Sequence, residues 1–280
     1  MMDKIKIITD STADLPDYLI EKHDIEVLPL TVNIDGKSYR DGIDIRLPEL
    51  LEVMAKSDEF PTTSQVNPKT FMDTYKRYLE EGYKIISIHI SSKMSGVYQS
   101  ASIAKEMLDS GDIHIIDSRN VTAGLGLLVL KACRLREEGK SVPEILDGVR
   151  LILPHVKSAL IFDSLENLVR GGRLPRAVGM VGNMLGIKLI MEVGGGEMKL
   201  LDKARGNRKA VKYVTGYLNK LGIKEGETSV LVNVESREAL PALRENLSES
   251  GVDFFECEVG CVVGVHAGPG ACGVFFVEKF

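Results

Sequence analysis

The chain has 280 residues, a formal net charge of −5, 27% charged and 44% hydrophobic residues. That is the make-up of a folded protein, and at about 150 residues per domain it predicts two α/β units sharing an interface. The acidic balance argues against a nucleic-acid module. No apolar run approaches the roughly 18 residues of a membrane span, and the opening MMDKIKIITDST lacks a signal peptide's apolar core, so the expectation is a cytoplasmic protein without integral membrane association.

In chain order, the first half alternates apolar strands with amphipathic helical stretches, the pattern of a mostly parallel sheet flanked by helices. Strands are predicted at 5–9, 26–32, 85–90 and 113–116, with helices near 16–23, 47–56, 68–81, 96–109 and 121–138. Asp35-Gly36 reads as the turn of a small hairpin projecting from the sheet. Ligands of such folds bind where the carboxyl ends of the strands meet their loops. Here those loops are polar: TDSTADLP, HISSKMSG and IDSRN.

The second half runs from a strand near 158–162 through RGGRLPR to the closing GACGVFFVEKF, with a hairpin signal at Gly194-Gly195-Gly196, so its sheet is expected to be mostly antiparallel. Two domains follow: 1–157, carrying the hydroxyl-rich loops, and 158–280, carrying the Arg-rich turn and a His-Ala-Gly-Pro-Gly turn. FFECEVGCVVGV reads as a strand. Cys133, Cys257, Cys261 and Cys272 therefore suit buried reduced thiols better than metal ligands, and the histidines show no zinc spacing. Gly179, Gly182 and Gly186 suit close helix packing.

Catalytic signatures mostly fail. Gly139-Lys140-Ser141 ends like a phosphate loop, but Arg134 stands where its first glycine belongs, and neither a GxSxG elbow nor a complete dinucleotide fingerprint is present. Asp10-Ser11, Asp117-Ser118 and Asp163-Ser164 follow apolar strands and suit helix capping. Two hydroxyl clusters stand out, Thr62-Thr63-Ser64-Gln65 and Ser91-Ser92-Lys93-Met94-Ser95-Gly96, the second at or near a helix N-terminus. Capping explains them on spacing alone. An anion site does so too, since free N–H groups and hydroxyls together can hold a carboxylate or phosphate. Arg170, Arg173 and Arg176 can grip phosphate or simply solubilise an exposed turn. His266 sits in a Gly/Pro-rich turn, aimed into a cleft or merely satisfied there.

Through IITDSTADLP, TTSQ, ISSKMSGVYQSA, DSLENLVRGGRLP and HAGPGACG the sequence resembles the DegV family of bacterial fatty-acid-binding proteins, over nearly the whole chain and in the family's order. It departs from the family at Asn67-Pro68, which touches the helix cap, and at Gly206-Asn207-Arg208, where a hydroxyl residue is familiar. The resemblance implies a long-chain fatty acid held between the two domains. Its carboxylate would lie on Thr63 and Ser95, with Thr62, Ser64, Gly96 and His266 around it. It implies no catalytic residue, metal or other cofactor, and some family members deliver the acid to a separate ATP-dependent fatty-acid kinase. Arg170, Arg173 and Arg176 are then candidates for phosphate or partner contact, and their removal should spare acid binding. Against this carrier stand a small-molecule phosphotransferase or hydrolase using the same hydroxyls with His266 as base, and an acyl-ligand sensor.

Overall fold

The computed structural model describes residues 3–174 and 186–280. Arg176, Gly179 and Gly182 lie outside them. The first half contains β1 (Lys4–Asp10), α1 (Asp17–Lys22), β2 (Ile25–Leu28), β3 (Thr31–Ile34), β4 (Lys37–Arg40), α2 (Leu47–Lys56), β5 (Thr62–Ser64), α3 (Pro68–Glu80), β6 (Tyr83–His89), α4 (Val97–Leu108), β7 (Ile113–Asp117), α5 (Ala123–Glu137) and α6 (Val142–Ile152). A short 3-10 turn, Ser11–Ala13, follows β1.

Strands β1, β2, β6 and β7 form a parallel sheet in the order β2-β1-β6-β7. Ile7 lies opposite Ile25 on one side and Ile86 on the other. Ile7, Ile8, Ile85, Ile86 and Ile88 are fully buried, as a sheet covered on both faces requires, each contributing about 1.5–3 kcal/mol. The chain leaves β1 in opposite directions to reach β2 and β6, so the loops after β1 and β6 flank a switch point.

The single strand expected at 26–32 is two. Pro29 follows β2, and with no N–H it cannot continue the ladder. β3 belongs to a separate three-stranded antiparallel sheet, β4-β3-β5. The Asp35-Gly36 hairpin is part of that sheet rather than a projection from the parallel one. The departure from the family at Asn67-Pro68 does not cost α3 its cap: Asn67 Oδ1 accepts from Thr70 N at 3.0 Å with Pro68 in the first turn. Ser141, the end of the failed phosphate-loop motif, forms a capping box with Glu144 at the start of α6.

The second half contains β8 (Val156–Phe162), α7 (Glu166–Arg170), β9 (Ile187–Gly194), β10 (Glu197–Arg205), α8 (Asn207–Leu221), β11 (Ser229–Asn233), α9 (Ala239–Glu249), β12 (Phe254–Glu258), α10 (Cys261–Ala267) and β13 (Cys272–Val277). Its strands among the described residues form one sheet, β10-β9-β8-β13-β11-β12, antiparallel except at β11–β12. The β9–β10 turn uses Gly195 (φ 65°) and Gly196 (φ 91°), the left-handed pair a tight hairpin demands.

Alternation along β8 serves two cores: Leu160 and Phe162 face the first half, and Ala159 and Ile161 face α8 and α9. Between the two sheets runs α5. Its sequence AGLGLLVLKAC has no polar face, so the helix is buried all round, against β1 and β6 on one side and β8 and β13 on the other.

FFECEVGCVVGV is not one strand. It is β12, a short link and α10, which places Cys261 on a helix and His266 in its last turn rather than in a loop. Gly260 interrupts the strand pattern, and VVGVH has no alternation to extend it. The four cysteines are nonetheless free and buried.

Candidate functional site

A cavity of about 820 Å³, counted out to its mouth, opens between the loops of the parallel sheet and the mixed sheet. Its walls are mainly apolar, with Leu160, Phe162, Leu168, Met198 and Val232 from the second half and Leu30, Ile90 and Val121 from the first. Thr63, Ser95, His266 and Arg173 all line the cavity, together with Thr12, Thr122 and Asn233.

Thr63 is the middle residue of β5, opposite Val32. Strand alternation turns its side chain toward α10 and sends Thr62 and Ser64 the other way, where both are exposed. Ser64 Oγ accepts from Asn33 Nδ2 at 3.0 Å. Thr62, Ser64 and Gly96, expected around the ligand, are therefore not part of the cavity wall. Gly96 lies beneath Gln65, whose amide would overlap any side chain there and whose Nε2 donates to Ser100 Oγ at 3.0 Å. Gln65 thereby ties β5 to α4, just after Ser95.

His266 Nε2 lies 3.0 Å from Thr63 Oγ1. Burial, then the charge of Arg173, lowers the imidazole pKa from 6.5 to about 4, so the ring is neutral at pH 7. Among the described residues its Nδ1 is buried without a partner. A buried acceptor left unpaired is more readily tolerated than a buried N–H, which assigns the proton to Nε2 and makes His266 the donor to Thr63. The Thr63 hydroxyl hydrogen is then free for the cavity. His266 fits because residue 171 is glycine: a Cβ on Gly171 would overlap the ring.

The arginines separate. The Arg173 guanidinium is fixed at the wall, its Nε donating to Met94 O at 3.2 Å and its Nη1 to Gly171 O at 2.6 Å. Arg170 is exposed, 4.4 Å above the Phe60 ring and 3.7 Å from Glu166.

Other motif residues have structural partners. Asp10 caps the 3-10 turn by accepting from Thr12 N at 3.1 Å. Asp117 accepts from Arg119 N at 2.9 Å, and Asp163 pairs with Lys188 at 2.6 Å.

Sequence spacing did not disclose a buried chain running from Tyr75 through Ser87 and His89 to Asp10, with steps of 2.8, 2.6 and 2.9 Å. It has the order of a hydrolytic triad, but all four residues are 0% exposed and none lines the cavity. Thr12 and Thr122, both in the wall, were also missed. Thr122 stands at φ 48°, a strained value for a β-branched residue.

Among the described residues no cluster of three or more His, Cys, Asp or Glu side chains is placed to hold a metal, and no helix is long and apolar enough to cross a membrane.

A family model described as "Uncharacterised protein, DegV family" matches residues 4–279. A DegV domain-containing protein of Clostridium acetobutylicum is 58% identical over 279 residues, with 100% of both chains covered. Among solved structures, a DegV family protein from Thermus thermophilus, described by its fatty-acid binding, superposes with a TM-score of 0.92 at 32% identity, covering 99% of this chain and 100% of that one. DegV of Bacillus subtilis, described as a fatty acid binding protein, superposes with a TM-score of 0.86 at 30% identity, with 100% of both chains covered. With this span of sequence and fold in common, the chain belongs to the DegV family.

Proposed function

We propose that this protein binds a long-chain fatty acid in the apolar cavity, between domains divided at 157/158, and performs no chemistry of its own. The observation that carries the reading is a mainly apolar cavity whose wall also holds the Thr63 and Ser95 hydroxyls, a neutral histidine and a fixed guanidinium. Burying about 15 methylenes gives a gross term near 12 kcal/mol before ordering costs. The carboxylate, costly if buried unpaired, would take hydrogen bonds from Thr63, whose hydroxyl His266 turns into a donor, and from Ser95, for which no side-chain partner is found among the described residues. The relatives' fatty-acid binding supports the same ligand class.

Arg173 lies in the same wall. Its removal should therefore weaken acid binding, a change from the expectation that all three arginines act only outside the pocket. Arg170, on the exposed side, keeps the role of a phosphate or partner contact should a separate kinase phosphorylate the bound acid.

The test is native mass spectrometry of the purified protein, then denaturing release and identification of the small molecule. A fatty acid near one per chain, lost in a Thr63→Ala, Ser95→Ala double variant and reduced in Arg173→Ala, is the expected result. An empty protein that takes up no added fatty acid would overturn the reading.

A further inference from the structure

The helix that carries His266 is gripped at its other end by two carboxyl groups from the first half of the chain. α10 opens at Gly260 with no cap from its own N-cap side chain. Instead Gly260 N donates to Asp14 Oδ1 at 2.9 Å and Cys261 N to Asp41 Oδ1 at 2.7 Å. Asp14 closes the 3-10 turn after β1, and Asp41 follows β4; they are 8% and 3% exposed.

The fit is close. A Cβ on Gly260 would lie 2.9 Å from Asp14 Oδ1 and 3.1 Å from both Asp41 oxygens. Among the described residues the second oxygen of each carboxyl is buried without a partner. The Thr122 hydroxyl stands beside Asp14 outside hydrogen-bonding geometry. Ser11, Asp10, Cys257 and Cys261 are the other polar or titratable groups facing the pair. Burial raises both acids, Asp14 to about 8.

Seven residues are too few for a helix to hold itself, so its direction is set by what grips it. Its middle packs on α2, where a side chain on Gly264 would overlap Leu47, and near its end Val265 O accepts from Asn167 Nδ2 at 2.9 Å. The first turn is held by Asp14 and Asp41, and the last turn presents His266 to Thr63. At about 1.5 Å per residue the two ends are only about 10 Å apart, so a shift at one is felt at the other.

We propose that Asp14 and Asp41 are positioning residues for head-group recognition, clasping α10 from the first half of the chain so that His266 stays against Thr63. The proposal rests on the reading of the cavity as a carboxylate site. It assigns a purpose to two buried acids that do not themselves line the cavity.

The experiment follows the His266 ring by NMR titration in the ligand-free full-length protein and measures palmitic acid affinity by calorimetry. In Asp14→Ala and Asp41→Ala the ring should titrate nearer its ordinary 6.5 than the native value of about 4. Palmitate binding should weaken about tenfold in both. Asp41→Asn, which keeps an acceptor oxygen, should restore both readings. Where an alanine variant does not fold, Asp41→Glu replaces it, since the added methylene should displace the helix end and move the His266 titration too. Unchanged His266 titration in the folded alanine and glutamate variants would overturn the clasp. If the native protein takes up no palmitate, the reading of the cavity fails, while the His266 titration still decides the clasp.

Discussion

Two histidine clusters in this protein are built from similar parts and have opposite characters. His89 joins Ser87 and Asp10 inside the parallel sheet, with both ring nitrogens bonded and no exposed atom. His266 joins Thr63 at the cavity wall, with one ring nitrogen unpartnered among the described residues. The first arrangement looks like catalytic machinery, yet its three residues are 0% exposed and none lines the cavity beside His266. A fully satisfied buried network fixes a fold, whereas polar groups left with spare hydrogen-bonding capacity beside a cavity are the ones available to a ligand.

The contrast sets three expectations of decreasing size. His89→Ala removes one partner each from buried Asp10 and Ser87 and leaves a cavity in the core, and should cost about 3 kcal/mol or more in urea unfolding. Fatty-acid affinity of the folded fraction should stay close to native; a comparable loss of affinity would join the sealed cluster to the binding site. Gly171→Ala acts the other way. Residue 171 has an ordinary helical backbone, so the added methyl acts chiefly on the His266 ring it would overlap, with Asn167 O the next neighbour at 3.1 Å. Affinity for palmitate should fall by more than tenfold, about 2 kcal/mol, with a smaller change in stability. A variant that binds normally would show that the ring position is not needed.

The smallest effect is on pH dependence. Between pH 4 and 6.5 the unfolded chain takes a proton that buried His266 refuses, so this group adds stability as pH rises and loses it as pH falls. Asp14 works in the opposite sense: the native state keeps until about pH 8 a proton that the unfolded chain gives up near 3.8, so stability falls as pH rises across that span. His266 opposes Asp14 between pH 4 and 6.5; beyond that the raised acids, Asp14 together with Asp41, act without it. Native protein should lose about 1.5 kcal/mol between pH 6.5 and 8, and Asp14→Asn should lose less. Equal losses in the two proteins would mean that Asp14 is not held protonated.

The sequence by itself determined the α/β class, the parallel sheet of the first half, the antiparallel character of the second, both glycine turns and the family, because these follow from alternation, turn residues and motif order within short stretches. It misread the strand at 26–32 and the segment after Cys257, where Pro29 and Gly260 end one element and begin another within a continuous apolar run. The contiguous hydroxyls at 62–64 looked equivalent until pairing with β3 assigned Thr63 to one face and its neighbours to the other. Only the tertiary structure could bring His266 to a residue 203 positions away, place Arg173 in the wall while Arg170 remained outside, and set Asp14 and Asp41 on the first turn of α10. Each of those contacts depends on how two sheets pack around α5, a long-range geometry that local periodicity does not encode.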